Sequence, residues 1–237
     1  MREIIRQGLI TLGLNQRVNA RAAEHLTRYG LMLLEKNAVM NLTAITEPDD
    51  VARLHMLDCA ALLGCCDLEN KRALDVGTGA GFPGMVLKIL VPSLDMTLLD
   101  SLNKRLLWLD EVSTVLALRD IRTVHARAEE GAADPAFRES FDVVTSRAVA
   151  DLRMLCELCL PYVKVGGMML AMKSTRSREE IDGAGRAVSM LGGRLLPSYD
   201  YTIPGTDITH RVVRVEKIAP TPAKYPRRFS QIKKSPL

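Results

Sequence analysis

The sequence predicts an α/β protein built on a doubly wound parallel sheet, preceded by a small helical region and followed by a basic arm. Three observations predict it. From Arg72 onward short apolar runs alternate with helical stretches, alternate glycines follow the first of those runs, and two late strands have no helix between them. Such alternation implies right-handed βαβ crossovers and a sheet covered on both faces. The 237 residues suit one main core with an accessory region, and 47% apolar against 25% charged residues excludes disorder as the main state.

Residues 1–70 read as a helical cap. Ala22, Leu26, Tyr29 and Leu33 recur at helical spacing while Arg21, Glu24, Arg28 and Lys36 are placed to face water. Pro48 followed by Asp49 and Asp50 marks a helix start, where a missing N–H costs nothing and the helix dipole favours acids. That helix is expected to run toward Leu63. Residues 71–219 then read as strand 73–77, helix 83–90, strand 96–100, helix 104–116 and strand 121–126. Strand 141–145, helix 152–163, strand 168–173 after Gly166-Gly167, and a polar helix over 176–191 continue the series. Segments 195–203 and 209–218, joined through Pro204-Gly205, are expected to form a terminal antiparallel hairpin.

No apolar run approaches the roughly 18 residues of a bilayer span, and Met1 to Leu12 is too mixed for a leader peptide. A soluble, cytoplasmic protein is expected. Five cysteines suit a reducing compartment, and Cys156 with Cys159, lacking a second pair, read as core thiols rather than a zinc site. His25, His55, His125 and His210 show no metal or Ser-His-acid spacing and read as structural, so no metal is expected.

Charge is concentrated at the C-terminus. Residues 220–237 carry Lys224, Arg227, Arg228, Lys233 and Lys234 with no acid, whereas the rest of the chain holds 27 basic residues (32 less five) against 28 acidic ones. Four prolines in the same segment argue against a helix or central strand, so the arm is expected to lie extended over a surface. Tyr225 and Phe229, set between the cations, can stack bases or anchor the arm. Contacts to nucleic-acid phosphates are therefore expected there.

The chemistry is read from the turn after the first strand, Asp75-Val-Gly77-Thr-Gly79-Ala-Gly81-Phe82-Pro83-Gly84. Glycines at alternate positions allow a tight turn and leave a bare backbone against which a nucleoside can lie, at the switch point where such sheets bind ligands. Asp100 ends the second strand, where a carboxylate accepts hydrogen bonds from ribose hydroxyls. Gly79, Gly81 and Gly84 also satisfy the dinucleotide pattern, which keeps an NAD-dependent oxidoreductase open. Asp75 is the expected discriminator, because a carboxylate there repels pyrophosphate and attracts the cationic sulfonium of S-adenosylmethionine. The competing reading has Asp75 capping local backbone. After the third strand, backbone of Ala128 or Glu129 can read adenine, although a charged surface loop explains those residue types more simply.

Exclusions narrow the acceptor. Thr145-Ser146-Arg147-Ala148 replaces the acidic or amide residue and two prolines required for exocyclic amines, and no cysteine nucleophile faces the crevice. A ring nitrogen with a free lone pair, such as guanine N7, needs neither device. Arg147, at the end of the fourth strand beside the first, can donate to the guanine O6 edge or a phosphate, or else pair with an acid such as Asp151, and no general base is assigned. Lys104, Arg105 and Lys173 are candidate phosphate contacts.

These residues resemble a known family. Asn41-Leu42-Thr43-Ala44-Ile45, His55-x-x-Asp58, the glycine turn, Asp100-Ser-x-x-Lys104-Arg105, Arg127-Ala128-Glu129, Arg147-Ala148 and Tyr225-Pro226-Arg227-Arg228 occur in the order seen in the glucose-inhibited division protein B family. The members of that family are bacterial 16S ribosomal RNA guanine-N7 methyltransferases. The resemblance implies a Rossmann-like class I methyltransferase sheet, S-adenosylmethionine as cofactor, and a monomer acting on a hairpin loop of the decoding region, in 16S rRNA or the small ribosomal subunit. It implies that Gly77 and Phe82 contact the cofactor, Asp100 its ribose, and Ala128 with Glu129 its adenine, with Arg147 bordering cofactor and guanine as a positioning residue; Gly79 of the glycine turn is a further cofactor-binding candidate. Lys104, Arg127, Lys173, Arg227 and Arg228 fall on the RNA side. A catalytically silent RNA-binding module on the same fold remains the third alternative.

Overall fold

The computed structural model describes residues 1–147 and 150–237, so Ala148 of the Arg147-Ala148 motif lies outside the described residues. The chain opens with α1 (Arg2–Thr11) and α2 (Ala22–Met40), and Ala22, Leu26, Tyr29 and Leu33 are all buried, as their spacing predicts. The helix expected toward Leu63 is irregular. It begins as α3 (Pro48–Asp50), widens into a π-helix over Val51–Leu57, and continues as α4 (Asp58–Ala60) and a 3₁₀ turn, Ala61–Gly64. π-Helical insertions are uncommon and concentrate at functional sites.

The sheet then forms by alternation: β1 (Arg72–Val76), α5 (Gly84–Leu90), β2 (Asp95–Asp100), α6 (Asn103–Val115), β3 (Ile121–His125), α7 (Ala128–Gly131) and β4 (Phe141–Arg147). After β4 come α8 (Leu152–Cys159), β5 (Val163–Ser174), α9 (Arg178–Met190), β6 (Gly193–Leu195), β7 (Tyr199–Thr202) and β8 (Thr209–Lys217). Strand order is β3-β2-β1-β4-β5-β8-β6, with β7 also paired to β8. Strands β1 to β5 are parallel, and β8 runs antiparallel to β5, β6 and β7. The predicted hairpin is thus β7–β8, with β8 inserted beside β5.

Side chains alternate across this sheet into two cores. Leu170, Met172 and Val212 join the core formed with α1, α2, α5 and α6, whereas Met169, Ala171, Val213 and Val215 join that of α8 and α9. The N-terminal helices therefore share one continuous core with one face of the sheet. Cys156 and Cys159 are buried in the other, and burial pushes the Cys156 thiol up to about 12.

The arm departs from its predicted extended form. α10 (Phe229–Lys234) is helical, because no proline lies between Arg227 and Ser235 and Ile232 supplies a fully buried anchor. Arg138 donates to the carbonyls of Thr221 and Tyr225 at 2.9 Å each, and Tyr225 is buried. Packing, rather than solvation, holds the arm.

Candidate active site

Between β1 and α5 the chain turns through Gly77 and Gly79, whose φ values of +69° and +59° cost an ordinary side chain roughly 1 to 2 kcal/mol. Backbone N–H groups of Gly77 and Thr78 both donate to the Leu99 carbonyl, at 2.9 and 3.0 Å, tying the turn to the end of β2. A Cβ on Gly79 would approach nothing closer than the Gly77 carbonyl oxygen at 3.9 Å, whereas one on Gly84 would overlap Leu98 and Asp75 at 2.4 and 2.8 Å. Gly79 leaves room beside the turn, and Gly84 lets the helix close onto the sheet.

Asp75 requires a correction. It does not face the crevice: it is fully buried, with Oδ2 accepting from Thr78 Oγ1 at 2.7 Å and Gly84 N at 2.9 Å, and Oδ1 accepting from Thr145 Oγ1 at 3.0 Å. Burial pushes its carboxyl up from the usual range, against the pull of those donors. Strand alternation aims this side chain at the start of α5, so Asp75 shapes the glycine turn instead of attracting a cationic ligand. The capping alternative is the one realised.

A cavity of about 470 Å³ opens beyond the ends of β1 to β4. Gly77, Gly79, Phe82, Asp100, Arg127, Ala128, Glu129 and Arg147 all border it, as does Arg105. Asp100 is held rigidly, accepting from Gly79 N at 2.9 Å through Oδ2 and from Leu102 N at 2.8 Å through Oδ1. Oδ1 keeps a second lone pair for a ligand hydroxyl, while Oδ2 also lies 3.5 Å from Arg105 Nη1. The open space beside Gly79, the apolar walls Val76, Phe82 and Leu99, and this carboxylate suit a nucleoside with a vicinal diol.

At the other end of the cavity lies a cluster that sequence reasoning missed. Arg147, at the end of β4, donates through Nη1 to Asp58 Oδ2 at 3.1 Å and to the Leu54 carbonyl at 3.2 Å, and through Nη2 to His55 Nδ1 at 3.0 Å. Asp58, rather than Asp151, is its acid. Asp58 Oδ1 also accepts from Tyr201 OH at 2.7 Å and His210 Nδ1 at 2.8 Å. Two of the four histidines read as structural, His55 and His210, are members of this cluster. His55-x-x-Asp58 on one helix was its legible signal, since residues three apart share a face; His210, distant in sequence, left none.

The protons in this cluster follow from its donors. Arg147 can only donate, so His55 Nδ1 accepts and Nε2–H donates to Thr43 Oγ1 at 2.8 Å. Burial, reinforced by the Arg147 charge, lowers His55 to about 4. His210 is opposite in sign, because its hydrogen bond to Asp58 raises it above 6.5. Burial would raise Asp58, yet the His210 hydrogen bond, the Arg147 charge and the Tyr201 hydroxyl together leave it lowered. His55 therefore costs stability as pH falls from about 6.5 toward 4, and His210 contributes stability below about 6.5 that is lost as pH rises through its raised value. Proton NMR titration is expected to place His55 near 4 and His210 above 6.5; the reverse order would overturn the assigned tautomers.

A second cavity of about 510 Å³ shares His55 and Arg147 with the first and is otherwise bordered by Asp58, Lys173, His210 and apolar side chains including Leu54 and Met172. Two chambers thus meet at one guanidinium, which also lies over the Phe82 ring at 4.9 Å. Lys173 is already engaged, its Nζ donating to the Ala150 carbonyl at 2.6 Å and Glu180 at 2.8 Å. Lys104 is exposed on α6 and borders neither chamber.

With this geometry established, the comparisons with known proteins decide the family. Residues 22–199 match the family described as GidB, rRNA small subunit methyltransferase G. The chain belongs to this family. It is 44% identical over 235 residues to the ribosomal RNA small subunit methyltransferase G of Alkaliphilus metalliredigens, covering 99% of this chain and 98% of that one. Fold similarity extends further. The TYW2 protein of M. jannaschii, solved in complex with AdoMet, aligns with TM-score 0.53 at 13% identity over 68% of this chain and 75% of that one. The branched-chain polyamine synthase of Thermus thermophilus aligns with TM-score 0.62 at 14% identity over 87% and 66%. Membership of the rRNA small subunit methyltransferase G family does not favour the dinucleotide reading that the glycine spacing left open.

In this family member Arg227 is not presented as an RNA contact. Its guanidinium donates to both oxygens of Glu157, at 2.6 Å from Nη2 to Oε2 and 2.9 Å from Nε to Oε1, and Glu157 is 1% exposed. Arg228, next in sequence, is exposed and makes no ion pair among the described residues. Arg227→Ala is expected to cost about 3 kcal/mol in urea unfolding by stranding a buried carboxylate. Arg228→Ala is expected to leave stability unchanged and to reduce the salt dependence of RNA binding by about 0.7 in slope. Exchanged effects would reverse the two assignments.

Proposed function

We propose that the protein transfers the methyl group of S-adenosylmethionine to N7 of a guanine in a hairpin loop of small-subunit (16S) ribosomal RNA. The observation that carries this reading is the meeting at Arg147 of two chambers, one suited to a nucleoside cofactor and a second, of about 510 Å³, that we assign to the base. When bound, S-adenosylmethionine supplies a methyl group on a positively charged sulfur, open to in-line attack by a lone pair. Asp100 accepts the ribose hydroxyls, the glycine turn provides bare backbone, and backbone of Ala128 and Glu129 reads the adenine edge. Arg147 positions both partners, held by Asp58, His55 and the Leu54 carbonyl so that little reorganisation accompanies transfer.

The titratable groups at the junction favour an acceptor that needs no deprotonation. Both nitrogens of His55 are committed, and Asp58 accepts from three side chains. Guanine N7 carries a free lone pair and loses no proton on methylation, so binding and orientation carry the reaction. Lys173 borders the second chamber, where Ala150 and Glu180 already hold it, and Lys104, Arg127 and Arg228 lie outside that chamber as further candidate RNA contacts. No helix is long and apolar enough to cross a membrane, and no group of three or more ligating side chains is arranged for a metal among the described residues. For an enzyme acting on ribosomal RNA, we propose a cytoplasmic location and action as a monomer.

The test is methyl transfer from labelled S-adenosylmethionine to small-subunit rRNA from a strain lacking the protein, followed by chain scission at N7-methylguanine with borohydride and aniline. One scission site is expected. Incorporation without scission would move the methyl group to another atom, and no incorporation would leave only an RNA-binding role.

A further inference from the structure

The C-terminal arm reaches back to the cofactor cavity, where Phe229 forms part of the wall. Its neighbours on that wall are Ala126, Ala128 and Glu129 after β3, together with Leu158 of α8. This is the end opposite Arg147, where the adenine belongs on the reading above. Phe229 is half-buried against the core that contains Leu158, and it is the first residue of α10.

What fixes the ring there is equally specific. Arg227, two residues before Phe229, is bonded through its backbone N–H and guanidinium to Glu157, the residue before Leu158. The anchor therefore joins the segment carrying Phe229 to the segment carrying Leu158. Ile232, fully buried one turn later, pins the other end of the short helix. Upstream, Thr221 Oγ1 donates to the Leu191 carbonyl at 2.8 Å and accepts from buried Lys217 at 2.7 Å, so the arm is fastened on both sides of the ring.

We propose that Phe229 is an adenine-packing residue and that docking of the C-terminal arm is part of the cofactor site. An aromatic ring beside a purine contributes stacking that any base accepts, and substitution by alanine typically costs a base contact about tenfold or more in affinity. Because binding energies are reciprocal, a ligand that uses the docked arm must also hold it in place. Phe229 is a binding residue here, and it acts on the adenosine half of the ligand, not on the methyl group. The inference rests on the cofactor reading given above.

Calorimetry on the full-length protein tests both separately, using S-adenosylhomocysteine and 5′-methylthioadenosine as probes. Wild-type protein that fails to bind S-adenosylhomocysteine would overturn the cofactor reading itself. If it binds, Phe229→Ala is expected to weaken both probes by about tenfold, and Phe229→Trp to retain affinity within about threefold, since both probes share the adenine. Equal affinity of Phe229→Ala and wild type would overturn the proposal while leaving the cofactor reading intact. Limited trypsin digestion supplies the reciprocal measurement at exposed Arg228. S-adenosylhomocysteine is expected to slow cleavage there in wild type and not in Phe229→Ala, and equal protection of both would likewise overturn it.

Discussion

Gly77→Arg is expected to abolish S-adenosylmethionine binding, lowering affinity by more than about 100-fold, equivalent to roughly 2.8 kcal/mol. Two separate effects act at this position. Gly77 holds φ +69°, a conformation that strains any side chain, and it borders the cavity, so an arginine side chain would occupy space the ligand needs. The turn cannot relax freely, because the Gly77 and Thr78 N–H groups are both bonded to the Leu99 carbonyl. Backbone strain is separated from blockage by Gly77→Ala, which imposes the same φ of +69° on a side chain while adding only a Cβ. Calorimetry is expected to show weakened but measurable affinity for Gly77→Ala and none for Gly77→Arg. Unchanged affinity in Gly77→Arg would remove the glycine turn from the cofactor site.

Asp58→Ala carries the largest expected loss of stability, about 3 to 5 kcal/mol in urea unfolding, with methyl transfer falling by more than about 100-fold. Asp58 is 2% exposed and receives hydrogen bonds from Arg147, Tyr201 and His210. Its removal leaves the Arg147 guanidinium, itself 18% exposed, without its carboxylate, and frees the side chain that joins the two chambers. His210 loses the partner that raises it, so its titration is expected to fall back toward about 6.5. Activity measured well below the unfolding midpoint isolates positioning from folding. A stability cost under about 1 kcal/mol, or unaltered transfer in folded protein, would show that Arg147 is held by its other acceptors.

The two predictions differ in how far their residues were visible beforehand. Gly77 was legible, because alternate glycines between an apolar strand and a helix have few other uses. Asp100 was legible for the same reason, by its place at the end of the second strand. Asp75 was recognised but misassigned: charge pattern identified a carboxylate near the turn, and side-chain direction turned it inward to Thr78, Gly84 and Thr145. Asp58 and His210 were not seen as a pair, being separated by 152 positions along the chain. The arm's basic character was plain, yet the engagement of Arg227 with Glu157, 70 positions away, was hidden behind it.

Periodicity and turn chemistry are local, so the residue order alone settled the βα alternation, the hairpin that closes the sheet and the glycine bed at its switch point. Family motifs carried the same order through to the expected cofactor and acceptor. Which charged groups face a ligand and which face one another was decided only when β8 inserted beside β5 and the arm returned across α8. Those placements depend on packing across the two cores. A buried carboxylate accepts whichever donors the tertiary contacts deliver, and nothing in its neighbours along the chain names them.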